Sequence, residues 1–165
     1  MYKTIEDDIR SKAAPAALKA EFIQHEFERQ HTFCVLIYVA SVAMWVVFDL
    51  ILSFMAGRPF AWQSLLFCGV FSTLTILLLF TRKAGHFDVL NLLFVFAITL
   101  GSRLLVEDLP DSYRAAWLLI AASSTLYGAS ILPLSRWSFY GAQLITWVNL
   151  NPFYHTDVLA FELRG

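Results

Sequence analysis

The sequence predicts an all-α polytopic membrane protein, a helix bundle of about five transmembrane helices preceded by an amphipathic N-terminal helix. Hydrophobic residues make up 58% of the 165 residues and charged residues only 15%, with a mean hydropathy of +0.62. Soluble domains carry about a quarter charged residues, so this chain has too few to cover a surface facing water. Residues 33–55 form an apolar stretch of about 23 residues, enough to cross a hydrocarbon core of about 30 Å.

Residues 1–32 are the only long hydrophilic segment and are predicted to form a cytoplasmic or interfacial helix. Pro15 suits the first turn of a helix, and good helix formers follow it. The apolar residues of the segment fall on one broad side: Leu18, Phe22, Ile23 and Phe27. We interpret this segment as a helix that rests on the membrane surface and runs into the first span. A docking helix for a partner chain is the alternative.

Residues 33–150 are predicted to form the transmembrane bundle. Four apolar segments follow the first span and are separated by short loops: residues 63–80, 89–106, 115–134 and 138–150. Pro133 helps to close the fourth segment. The fifth has about 13 residues, or about 20 Å of helix, which is less than the membrane core. It is either a short span or a re-entrant segment, and residues 151–165 form a polar C-terminal tail.

The distribution of lysine and arginine predicts a cytoplasmic N-terminus. With that orientation eight basic residues lie on the cytoplasmic side: Lys3, Arg10, Lys12, Lys19, Arg29, Arg82, Lys83 and Arg136. Four lie on the outer side: Arg58, Arg103, Arg114 and Arg164. Cytoplasmic loops carry an excess of lysine and arginine, so the eight-to-four ratio favours this orientation.

No pattern typical of catalysis, a cofactor or a metal occurs in the sequence. The glycine-rich phosphate loops, zinc-protease, serine-hydrolase and calcium-loop motifs are all missing. Cys34 and Cys68 stand outside any CxxC or ligand spacing and are predicted to be buried free thiols. The four histidines fall at or beyond the predicted membrane boundaries: His25, His31, His86 and His155. We therefore predict that the protein is not an enzyme, has no cofactor or metal, and binds no nucleic acid.

Two opposite charges lie inside predicted spans and are candidates for an intramembrane ion pair. Asp49 lies about 24 Å along its helix from the cytoplasmic face, and Arg103 lies about 21 Å from the same face. Pairing would relieve the cost of several kcal/mol that each charge alone would have in the membrane. The alternative is that each side chain reaches the headgroups separately at the outer boundary.

The fourth span is rich in small and hydroxylated residues. Ser124 and Gly128 are four positions apart, a spacing that lets a neighbouring helix approach closely. We predict helix packing at these two residues. A polar ligand groove between helices is the alternative, and Tyr127 and Gln143 would be its groups of interest.

A resemblance to a known family rests on three features. The charged N-terminal helix runs through FERQ (residues 27–30) into a phenylalanine-rich first span, the loops are short, and ILPLSRW (residues 131–137) forms a turn. In this architecture the chain resembles the MASE-type membrane-sensor modules of bacterial diguanylate cyclases. The chain differs from that family in stopping after five spans and in lacking a GGDEF sequence.

The resemblance implies a multi-pass sensor and anchor of a bacterial inner membrane, truncated or stand-alone. It would act in cyclic-di-GMP signalling without catalytic activity of its own. The expected partners are the lipid bilayer and a second copy of the chain or another membrane protein. A small transporter subunit or an assembly and interaction protein is the alternative function.

Overall fold

The structure is a computed structural model that describes residues 16–56, 62–107 and 111–151. The described residues form five α-helices and no β-strand, which confirms the predicted all-α fold. The helices are α1 Ala16–Ala56, α2 Trp62–Phe80, α3 Ala84–Val106, α4 Asp111–Ile131 and α5 Arg136–Leu150. The predicted tail at residues 152–165 lies outside the described residues.

Helix α1 is a single helix of 41 residues, so it is about 60 Å long and twice the thickness of a hydrocarbon core. It continues through residue 32, where the sequence analysis separates an N-terminal helix from the first span. Its fully buried residues recur at seven- and four-residue intervals: Phe27, Cys34, Tyr38, Trp45 and Asp49. These intervals make an 11-residue repeat, about 3.67 residues per turn, so the buried residues form one continuous stripe along the helix, and the stripe faces the other helices.

Three helices are long and apolar enough to cross a membrane. They are residues Ala20–Ile51 within α1, Trp62–Phe80 and Ala84–Val106. Helix α4 with 21 residues and α5 with 15 residues are not among these three. The structure thus supports a membrane protein, and crossing by α4 and α5 stays a prediction.

The side chains that face away from the bundle are largely apolar. Phe54 is 90% exposed, Trp137 84% and Phe80 76%. Monomeric soluble proteins rarely expose contiguous apolar surface on this scale, because it would have to be solvated by water. In a bilayer the same surface lies against hydrocarbon, which supports the membrane setting for this fold.

Helix α3 is the centre of the bundle and packs against all four other described helices. At Gly101 of α3 the ring of Trp45 of α1 lies directly against the backbone. Asn149 of α5 donates an amide hydrogen bond of 2.8 Å to Thr99 Oγ1 on α3. Both cysteines are free thiols, with Cys34 buried and Cys68 half-buried.

At the end of the bundle where α3 begins, Gln24 of α1 forms a clip with the turn between α2 and α3. Its amide nitrogen donates to Arg82 O at 2.7 Å, and its amide oxygen accepts from Ala84 N at 2.9 Å. Ala84 is the first residue of α3, so its N–H has no carbonyl partner inside its own helix. The stacked rings of Phe27 and Phe87, 4.9 Å apart, extend this contact one turn further along α1.

Candidate functional site

A groove with a volume of about 320 Å³ lies between α1, α3 and α4. Helices α1 and α4 both pack on α3, and α4 contributes only small side chains to the space between them. These side chains are Ala121, Ser124, Thr125, Gly128 and Ala129. The groove exists because small residues on α4 do not reach across to α1.

Aromatic rings form the wall opposite α4. Tyr38 packs against Phe94 with ring centroids 4.1 Å apart, and Trp45 donates a hydrogen bond of 3.1 Å to Ser64 Oγ on α2. Phe48 meets Trp117 of α4 edge to face at 5.5 Å and closes one end of the groove. Each of these rings is therefore packed against or hydrogen-bonded to a neighbouring side chain.

The polar centre of the groove is Asn91, whose side chain is 1% exposed. Tyr38 Oη donates to Asn91 Oδ1 at 3.5 Å, which is long for a hydrogen bond. Among the described residues, Asn91 Nδ2 has no hydrogen-bond partner. A buried amide donor left unsatisfied costs about 1–3 kcal/mol. A ligand that accepted a hydrogen bond from this N–H₂ group would offset that cost.

The other hydroxyl groups at the groove are largely engaged with their own helices. Ser41 Oγ donates to Ile37 O at 2.8 Å, and Thr125 Oγ1 donates to Ala121 O at 2.8 Å. Such bonds to the preceding turn satisfy hydroxyl donors inside an apolar environment. Asn91 is therefore the main group that can offer a hydrogen bond to a molecule in the groove.

The described residues that line the groove include no carboxylate, ammonium, guanidinium or imidazole group. In the part of the chain that the structure describes, no three His, Cys, Asp or Glu residues come together as a metal site. The groove offers aromatic and apolar contact together with neutral polar groups, which are the Asn91 amide and the hydroxyls of Ser102 and Ser124. These are the properties of a binding site for a neutral molecule.

The predicted packing residues Ser124 and Gly128 both line this groove. A Cβ atom added at Gly128 would meet no atom of the described residues within 4 Å, so no helix approaches closely there. Helix packing at Ser124 and Gly128 stays a prediction. Tyr127 is 69% exposed, and neither it nor the half-buried Gln143 is among the lining residues.

Asp49 is fully buried on the stripe of α1, one turn beyond Trp45. In the alternative in which this carboxyl reaches the lipid headgroups, the side chain would be exposed, and here it is buried. Arg103 is half-buried on α3. Trp45 of α1 lies against Gly101 of α3, and the two helices run in the same direction. Asp49, four residues after Trp45, is therefore at the same depth in the bundle as Leu105, four residues after Gly101. Residues two positions apart point to different sides of a helix, and the pairing of Asp49 with Arg103 stays a prediction.

Arg114 is a half-buried residue that the sequence analysis placed only as an outer charge. It lies one turn from Trp117 on α4, and the ring of Trp117 meets Phe48, the neighbour of Asp49. Its Nη2 donates to Glu107 O at 2.9 Å. The contact of Phe48 with Trp117 thus places Arg114 at the same end of the groove as Asp49.

Asn91 and Tyr38 were not singled out by the sequence analysis, although a signal was present. Both are polar residues inside apolar segments that are long enough to span the membrane. Polar groups within the membrane are costly and therefore mark positions of interest, in the same way that ionisable groups do.

Comparisons with known proteins place the chain in no family, since no protein-family model, curated protein or solved structure matches it. The class of protein follows from the fold itself: an all-helical protein with three helices fit to cross a membrane.

Proposed function

We propose that this protein is an integral membrane sensor and anchor module without catalytic activity of its own. The observation that carries the proposal is that a single helix joins two places in the molecule. Helix α1 forms the aromatic wall of the groove through Tyr38, Trp45 and Phe48, and continues unbroken to the clip at Gln24. The resemblance to the MASE-type modules implies the same kind of role.

Helix α1 would move as a rigid body, because it is continuous from the clip to the groove. Gln24 lies 14 positions before Tyr38, which is about 21 Å along the helix. A molecule that widens or closes the groove shifts α1 relative to α3, and the contacts of Gln24 with Arg82 O and Ala84 N change with it. Ligand binding would then shift the population between a closed and an open clip.

The exchange rate of the Ala84 amide measures the state of the clip, because Gln24 Oε1 is its hydrogen-bond acceptor. Gly128→Leu fills the groove, and we expect it to change Ala84 hydrogen exchange roughly fivefold or more, the lower range of coupling between sites. Gly69→Leu is the matched control. A Cβ at Gly69 also meets open space, but this residue lies on α2 away from the groove.

A variant that breaks the clip directly, Gln24→Ala, defines the exchange rate of an unprotected Ala84 amide. The measurement is made by NMR on the protein in lipid nanodiscs. Should Gly128→Leu and Gly69→Leu give the same Ala84 exchange rate, the groove and the clip are independent and the sensor proposal is wrong.

The proposed location is a bacterial inner membrane, with several crossings and a cytoplasmic N-terminus. The eight-to-four distribution of basic residues supports this orientation. Helix α4 has 21 residues and, at about 31 Å, matches the membrane core. Helix α5 has 15 residues, about 22 Å, and crosses only with help from flanking groups such as Trp137.

Topology is tested by reporter fusions at three positions. A fusion after Lys83 should give a cytoplasmic signal, and a fusion after Asp111 should give an external signal. A fusion after Ser135 should again be cytoplasmic if α4 crosses the membrane. An external signal after Lys83 together with a cytoplasmic one after Asp111 would reverse the orientation.

A further inference from the structure

We propose that the groove binds a neutral, lipid-soluble ring compound that bears a carbonyl oxygen, the chemistry of a quinone head group. The carbonyl accepts a hydrogen bond from Asn91 Nδ2, and the ring lies against the aromatic wall. This inference names the ligand class of the groove on which the proposed sensor function rests.

The side-chain amide of Asn91 can donate a hydrogen bond to a molecule in the groove. Asn91 is 1% exposed and lines the groove, and its Nδ2 is without a partner among the described residues. An amide nitrogen offers only donors, so the group that satisfies it must be an acceptor. A carbonyl oxygen is an acceptor that carries no proton of its own and no charge.

The described residues that line the groove carry no charge. A fatty-acid carboxylate or a lipid phosphate placed beside Asn91 would be a bare anion inside the membrane, with no cation in the groove to offset its desolvation. The occupant is therefore neutral. This excludes free fatty-acid anions and phosphate headgroups as ligands of this site.

The size and shape of the groove limit what it can hold. The groove of about 320 Å³ is roughly twice the ~150 Å³ cavity known to hold benzene and lies at the small end of ligand pockets. It therefore holds one substituted ring. Tyr38, Phe48 and Phe94 line the groove, and aromatic side chains are suited to contact with such a ring.

The groove also has an opening through which an apolar tail can pass. Met44 on α1 and Ser124 on α4 line the groove and are exposed at the surface of the bundle. The surface between these helices faces the lipid in a membrane-spanning bundle. A ring compound with a hydrocarbon tail can thus enter from the bilayer and leave its tail there.

The experiment titrates decylubiquinone into the protein in lipid nanodiscs and follows side-chain amides by NMR. Selective labelling is simple because the chain has three asparagines, Asn91, Asn149 and Asn151. We expect a saturable shift of the Asn91 side-chain signal, with Asn149 as the internal reference. Decylbenzene, which has the ring and the tail without a carbonyl, is the control compound.

Variants separate the hydrogen bond from simple filling of the groove, with the Gly128 backbone amide as the probe. Asn91→Leu keeps a similar volume and should bind decylubiquinone at least roughly tenfold more weakly, as expected for loss of one buried hydrogen bond. Gly128→Leu, followed through the Asn91 signal, should abolish binding, whereas Gly69→Leu should bind normally. Thermal melts by circular dichroism establish that each variant is folded.

The proposal is overturned if decylbenzene binds with the same midpoint as decylubiquinone, if Asn91→Leu binds normally, or if no shift saturates. The Ala84 exchange experiment requires no ligand, so the two tests fail separately. Altered Ala84 exchange without quinone binding would refute the ligand class alone. Quinone binding without coupling between Gly128→Leu and Ala84 would refute the sensor function alone.

Discussion

Replacing Gly101 with alanine should destabilise the bundle by about 1–3 kcal/mol, the usual cost of overpacking a dense core. A Cβ at this position would lie 2.6 Å from Trp45 Cη2 and 3.0 Å from Phe67 Cγ. Neither ring can retreat easily. Trp45 is held by its hydrogen bond to Ser64 and by the ring of Phe71 at 4.9 Å.

The control is Gly69→Ala, where the added Cβ meets no atom of the described residues within 4 Å. Alanine is favoured over glycine inside a helix by about 1 kcal/mol, so this variant should be slightly stabilised. Thermal unfolding followed by circular dichroism should therefore show shifts of opposite sign for the two variants. Adding Trp45→Phe to Gly101→Ala removes the clashing ring atom and should recover part of the loss. Equal melting temperatures for Gly101→Ala and Gly69→Ala would contradict the close packing of α1 on α3.

The second large effect concerns Asp49. Because its side chain is fully buried and we expect it to pair with an arginine, Asp49→Ala should destabilise the bundle by about 3 kcal/mol or more, the cost of leaving one partner of a buried ion pair uncompensated. Asp49→Asn keeps the shape and separates the loss of charge from the loss of packing. Unfolding is measured by urea or heat in detergent micelles of constant composition.

Two double-mutant cycles identify the group that acts on this carboxyl. The similar depth along the sequence predicts coupling with Arg103, whereas the packing of Phe48 on Trp117 predicts coupling with Arg114. We expect the larger coupling energy with Arg114, such that the double variant loses less than the sum of the two single losses. A larger coupling energy with Arg103 would instead support the ion pair between Asp49 and Arg103 that the sequence predicts. Strict additivity in both cycles would show that neither arginine acts on Asp49.

The helices of the bundle were predictable because long apolar segments and polar breakers are local features. The predicted segment 63–80 corresponds to Trp62–Phe80, and 138–150 corresponds to Arg136–Leu150. Helix α3 starts at Ala84, five residues before the predicted start, because its polar first turn is capped by Gln24 and packed through Phe87. That support comes from α1, about 60 positions away in the sequence, and no local pattern contains it.

The fourth segment illustrates the same limit at both ends. It was predicted as 115–134 and is observed as Asp111–Ile131. Its end lies two residues before Pro133, in keeping with the restricted conformation of residues that precede proline. Its start includes Arg114, whose side chain is held by Glu107 O from the previous connection.

The sequence by itself determined that this is a membrane protein built of helices, since both properties depend on composition and on the length of the apolar segments. It did not determine which side of each helix faces the interior. Lipid tails are as apolar as leucine side chains, so lipid-facing and core-facing positions carry the same residue types and the pattern loses its directional information. Only the tertiary structure decided that Gly128 borders an open groove while Gly101 lies against Trp45, although both are glycines in apolar helices. The size of the facing side chains on other helices makes that difference, and the same geometry leaves the amide of Asn91 without a partner among the described residues.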